Sequence, residues 1–188
     1  NTVAIGNSRY AGGANGSRAG RTQIFSWDGA AWNQLGSDIE GETIYDSSGT
    51  SVSLSSDGNT VAIGIPEADG HTPGHTHGHT QIFSWDGVAW NQLGSNIVGR
   101  TSLDNEGKDV SLSSDGQTVA ISAPISGMER PGHTRICTWD GVAWNQIGRN
   151  IQGEAAGDNG GDYPPTVYAV SEVALSGDGQ TVAIGAYS

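Results

Sequence analysis

The chain has 188 residues and a formal net charge of −12, with 35% hydrophobic residues and 30 glycines. So acidic a surface, with no basic stripe, repels phosphate backbones and argues against a nucleic-acid partner. No run approaches the roughly 20 apolar residues of a membrane-spanning helix, and the single cysteine, Cys137, excludes an intramolecular disulfide.

The chain opens on NTVAIG, and that segment returns. TVAIG or TVAIS starts at Thr2, Thr60, Thr118 and Thr181, so the spacings are 58, 58 and 63 residues. A period of this length marks a modular array rather than one continuous core. The copies divide the chain into a first repeat over 1–49 that lacks a leading strand, a second over 50–107, a third over 108–170, and the start of a fourth over 171–188.

The second repeat shows the expected unit most fully. Thr50–Ser55 alternates Val52 and Leu54 with serines, as a strand with one apolar face does. Ser56-Asp57-Gly58-Asn59 supplies tight-turn chemistry. The strand that follows, Thr60–Ile65, is almost wholly apolar, as suits a strand covered on both faces. After a variable loop come Thr80–Trp85, a turn at Asp86-Gly87, and a fourth strand over Ala89–Leu93. A Gly-rich crossover, Gly94–Gly107, then leads to the next copy. Nothing sustains helical periodicity for ten residues. The expected fold is all-β: tandem four-stranded antiparallel blades of about 58 residues stacked radially as in a propeller, with a linear stack of the same units as the alternative.

The run SVSLSSDGNTVAIGIP, with GHTQIF after its loop, resembles the FG-GAP repeat of integrin-α-like β-propellers, with Ile65-Pro66, Ala123-Pro124 and Gly185-Ala186 at the family's Ala-Pro or Gly-Ala position. The resemblance covers all the copies. It implies a propeller and favours an extracellular or cell-surface location. Many loops of that family carry alternating acids that hold calcium, since a hard cation needs several converging oxygens. Here Ser53 and Ser55 stand in the acid positions and leave Asp57 alone; Ser111, Ser113 and Asp115 repeat the loss. The calcium site is therefore not carried over. Asp57, Asp115 and Asp178 read as turn residues that bond their own backbone, and no cofactor is expected.

Three features are candidates for chemistry. Trp27 with Trp32, Trp85 with Trp90 and Trp139 with Trp144 each bracket a W-D-G-x-A-W hairpin. Such rings either seal one blade against the next or stack on sugar faces in a carbohydrate-binding protein. His75, His77 and His79 alternate in one loop and, in an extended segment, point the same way, as Zn²⁺, Ni²⁺ or Cu²⁺ would require. The same G-H-T recurs at His133, so His79 also reads as the ordinary start of a strand. Asn15-Gly16-Ser17 is a glycosylation sequon. No nucleophile elbow or phosphate loop is present and the carboxylates recur at turns, so no enzyme activity is expected.

Counting strands leaves a first unit without its leading strand and a fourth with only two. The expectation is a window on an array of about six or seven copies, in the range propellers use, or chains that complete one another. The functional expectation is a non-catalytic structural or adhesive protein that self-assembles, extending to filaments, with further copies of the same repeat as partners. The alternatives are glycans at the Trp hairpins or a metal at the histidine loop.

Overall fold

The computed structural model describes residues 1–11, 17–68, 77–100, 104–124, 132–153 and 169–187, with backbone only at 169–171 and 186–187. Among them every regular element is a β-strand, and the strands form four antiparallel sheets. The first holds β1 (Thr2–Asn7), β2 (Arg21–Trp27), β3 (Trp32–Gln34) and β4 (Ile39–Glu40). The second holds β5 (Ser51–Leu54), β6 (Thr60–Ile65), β7 (His79–Trp85), β8 (Trp90–Gln92) and β9 (Ile97–Val98). The third repeats that order with β10 (Val110–Leu112), β11 (Thr118–Ala123), β12 (His133–Trp139), β13 (Trp144–Gln146) and β14 (Ile151–Gln152). The last is a hairpin of β15 (Ala169–Leu175) and β16 (Val182–Tyr187), whose first strand starts two residues ahead of the expected boundary at 171.

The four-strand expectation needs one refinement. The fourth strand is broken: β8 pairs with the Phe83–Trp85 end of β7, and β9 pairs with its His79–Thr80 end. Gly94 causes the break. Its φ of +78° lies in a region that side chains avoid, so the chain steps out of the pleat and rejoins it three residues later. The stretch read as a loose crossover from Gly94 thus begins inside the sheet.

Two of the TVAIG strands, β6 and β11, are buried on both faces because a blade lies on either side, whereas β1 and β16 alternate half-buried and exposed residues. Val61 and Ile63 pack with Ile24 and Ile39 of the first blade, while Ala62 packs with Val119 and Ile121 of the third. The core is therefore a series of seams between blades. Gly64 is fixed by the same closeness: a Cβ there would run into the Gly107 carbonyl as the chain leaves for the next blade.

Serines of the first strands join the blades edge to edge. Ser51 Oγ accepts from Val110 N–H (3.1 Å) and donates to Asp109 Oδ1 (2.6 Å), and Ser53 Oγ accepts from Leu112 N–H (3.0 Å). One blade on, Asp109 Oδ2 accepts from Val173 N–H (2.8 Å) and Ser111 Oγ from Leu175 N–H (2.9 Å). Each side chain satisfies an amide that no neighbouring strand reaches, which matters because an unpaired buried amide is costly. Ser55 and Asp57 act separately, within the turn. Ser55 donates to Asp57 Oδ1 (2.6 Å), and Asp57 accepts from Asn59 N–H (2.9 Å); Asp115 and Asp178 repeat both bonds.

Candidate functional site

Two features of the blade junctions carry side chains arranged for more than filling space. The first is a tryptophan seat. Asp86 accepts from the Val88 and Ala89 amides, which closes the hairpin and sets Trp85 directly across from Trp90. The two rings lie 5.4 Å apart at 50°. Trp90 then reaches back to the first blade, where its indole N–H donates to the Leu35 carbonyl at 2.8 Å. Gly36 makes room, since a Cβ there would lie 2.7 Å from Trp85 and 3.0 Å from Trp90. Trp139 and Trp144 repeat the arrangement on the second blade, with a 2.8 Å bond to the Leu93 carbonyl and Gly94 as the seat.

Each half of this contact also occurs open. Trp27 and Trp32 form the same pair, 5.6 Å apart at 54°, but are 40% and 49% exposed. At the other end Ile147, which corresponds to Leu35 and Leu93, is 51% exposed. Among the described residues nothing lies within 4 Å of a Cβ built on Gly148. Ile39 and Ile97 are buried in their seams while the equivalent Ile151 is 41% exposed.

The second feature is a buried polar cluster between blades two and three. Asp104 and Glu106 come from the chain that leaves β9, and His133 and Arg135 from the start of β12, on one face of that strand. All four are buried. Arg135 Nη1 lies 2.6 and 2.7 Å from the two Glu106 oxygens and also donates to the Val98 carbonyl (2.9 Å); its Nε donates to Gln146 (3.2 Å). Asp104 Oδ2 accepts from the Arg100 amide at 2.9 Å. Burial outweighs Arg135 and pushes the Glu106 carboxyl up to about 6. Burial also lowers His133, opposed by Asp104, which favours the neutral ring, and its Nε2 has no hydrogen-bond partner. One ligand atom each from Asp104, Glu106 and His133 lie within 4.8 Å of one another. Cys137 sits two residues further on the same face, in the apolar seam, its thiol pushed up by burial to about 11 and so unreactive.

The sequence-predicted residues divide between these places. All six tryptophans lie at the hairpins, four of them seated on a neighbouring blade and Trp27 and Trp32 open. His79 is the buried first residue of β7, opposite Ile65 and Val98. His77 is half-buried, and its carbonyl accepts from Glu106 N–H (3.1 Å). His75 and Asn15 lie outside the described residues. Sequence reasoning missed Asp104 and Glu106, which lie in what read as a linker. The available signal was departure from the repeat: Glu106 stands where the preceding copy has Ser48, and Arg135 where it has Gln81. An open cleft of about 530 Å³ at the last hairpin, lined by Asp109, Glu172 and Ile184 among others, holds no comparable convergence.

Blades of this topology, packed face to face along their first strands, define a β-propeller-type fold. In solved structures the chain is similar to a periplasmic gluconolactonase from Pseudomonas aeruginosa, with a TM-score of 0.57 and 15% identity over 99% of this chain and 47% of that one. It is also similar to TolB from Acinetobacter baumannii, with a TM-score of 0.43 and 15% identity over 96% and 46% of the two chains. The chain spans about half the length of either. No family model and no curated protein matches. What the gluconolactonase comparison shares with the FG-GAP resemblance is the propeller fold. Among the described residues no helix is long and apolar enough to cross a membrane.

Proposed function

We propose that this chain is a non-catalytic propeller scaffold, acting outside the cell or at its surface in keeping with the FG-GAP resemblance, and that it works by self-assembly through its own blade contact. The observation that carries the reading is the tryptophan seat, made twice between blades and present, among the described residues, as two unmatched halves. A second copy brings Trp27 and Trp32 onto Ile147 and Gly148 in the manner of Trp85 and Trp90 on Leu35 and Gly36. Such a head-to-tail contact, if it does not close, extends into a filament. With a net charge of −12 on each copy, association strengthens as salt screens the repulsion.

The test is sedimentation of the 19.3 kDa chain over a range of concentrations, beside Trp32→Ala and Gly148→Asn. Asparagine tolerates the +66° φ at this position while its side chain fills the seat. Concentration-dependent growth, lost in both variants with the fold intact, is the expected result. A monomer at every concentration, or growth indifferent to both changes, overturns the reading. A second reading, carbohydrate binding, is favoured by the exposure of the Trp27–Trp32 pair. Glycan binding by a chain that stays monomeric, lost on Trp32→Ala, would establish it instead.

A further inference from the structure

We propose that Asp104, Glu106 and His133 form a site for one divalent transition-metal ion of the zinc class, held across the junction of the second and third blades.

Geometry supplies the first argument. Two carboxylates come from one blade's outgoing chain and an imidazole from the next blade's third strand, with one ligand atom of each within 4.8 Å of the others. A zinc ion about 2.0–2.2 Å from each ligand needs them about 3–4 Å apart, which small rotations of the three side chains provide. The second argument is the unpartnered nitrogen. His133 is 5% exposed, and its Nε2 finds no hydrogen-bond partner. Buried polar atoms are usually paired, so this nitrogen is available to a ligand. The convergence of the two carboxylates on the same ring distinguishes it from the other buried polar atoms without a partner. The donor set of two oxygens and a neutral imidazole suits Zn²⁺ or its borderline-soft neighbours better than Ca²⁺ or Mg²⁺, which take oxygen alone.

Arg135 pairs with Glu106, and the same geometry shows how it gives way. Its guanidinium already donates to the Val98 carbonyl and to Gln146, so it keeps two neutral acceptors when Glu106 turns to the ion. The first junction provides an internal contrast. Asp46 and His79 occupy the positions of Asp104 and His133 there, but Ser48 replaces Glu106, and no metal-like grouping is found there among the described residues. The second carboxylate is what makes the site.

The experiment is calorimetric titration of chelator-stripped protein with Zn²⁺, in a background carrying His71→Ala, His75→Ala and His77→Ala so that the histidine loop contributes nothing. One equivalent should bind. Asp104→Asn and Glu106→Gln should each weaken binding roughly tenfold or more, and Arg135→Gln, which removes the competing cation, should tighten it. Absence of stoichiometric binding overturns the proposal, as does affinity unchanged in Asp104→Asn. No tightening in Arg135→Gln overturns the exchange on which it depends. Because substitutions in a buried cluster can unfold the chain, the His133 ring resonances of the same background protein, with the cluster intact, are followed as Co²⁺ is added. They should shift or broaden paramagnetically before any other signal, and a His133 ring untouched by Co²⁺ rules the site out.

Discussion

The two fully formed junctions have one frame and two fillings. Both bring an indole back to a carbonyl at 2.8 Å over a glycine seat. Beneath that contact the first junction is filled by Ser48, Gln81 and Phe83, and the second by Glu106, Arg135 and Cys137. Gln81 bonds Glu42 and Asn96 at the seam's edge (2.9 and 3.2 Å), whereas Arg135 turns inward to Glu106. The space released by exchanging Phe for Cys lies beside a longer, charged side chain. Blade packing is thus decided by the repeated hairpin and TVAIG strand, which leaves the seam's filling free to diverge and acquire charge.

The largest expected effect comes from breaking the charged filling on one side only. Glu106→Ala in metal-free protein leaves the Arg135 guanidinium buried without its carboxylate, at a cost of about 3–5 kcal/mol in urea-unfolding free energy. Replacing both partners with those of the first junction, Glu106→Ser with Arg135→Gln, should recover most of that loss. A double variant as unstable as the single one would show that the two fillings are not interchangeable.

Trp90→Ala and Trp32→Ala come next, as the same residue in a closed and an open seat. The first removes a packed ring and its hydrogen bond, costing up to about 3 kcal/mol. The second removes a ring already half in solvent and should cost under about 1 kcal/mol in the dissociated chain. Equal losses in thermal unfolding would mean that the seat contributes nothing to blade cohesion.

Ser53→Ala is a smaller change of the same kind, about 1–3 kcal/mol, since it leaves the Leu112 amide unsatisfied. Hydrogen exchange should quicken at Leu112 and leave Leu175, which is served by Ser111, unaffected.

The smallest effect is that of acid. Asp57 is held below the usual 3.8 chiefly by the Ser55 hydroxyl, and Asp115 likewise by Ser113. A depressed folded pKa gives stability that is present above the unfolded value and lost as pH falls through the folded one. Thermal stability should therefore decline below about pH 3.8, and less steeply in a chain carrying Asp57→Asn and Asp115→Asn. An identical acid limb in both would show that these turns are not the groups titrating.

The sequence made legible whatever depends on local order. Strict spacing revealed the array, the apolar TVAIG run announced a strand covered on both faces, and the W-D-G hairpin placed each tryptophan opposite its partner. The rest depends on which copy lies beside which. Ser51 and Ser53 read as the polar face of a strand, and Ser53 also as a lost calcium ligand, because their acceptor role appears only when the next blade's amides stand next to them. The split of the fourth strand was hidden because Gly94 looks the same whether it ends a strand or interrupts one. Asp104 and Glu106 sat in a Gly-rich stretch, and their convergence with His133 spans a loop of variable length that no spacing rule predicts.

The serine contacts between first strands have a direction. Ser51, Ser53, Asp109 and Ser111 all receive amides from the blade that follows, so an array of such blades carries a vector along its length. A blade set against one end of such a stack would meet acceptors already in place, while one set against the other would have to bring its own. The fourth repeat changes the chemistry of that vector, with Glu172 at the position of Asp109 and Ala174 at the position of Ser111. The alanine side chain accepts no hydrogen bond, so a blade packed on this strand would meet a carboxylate at one rung and a blank at the other. A partner that carries its own answer to that blank is distinguished, in register and in orientation, from any blade within the chain.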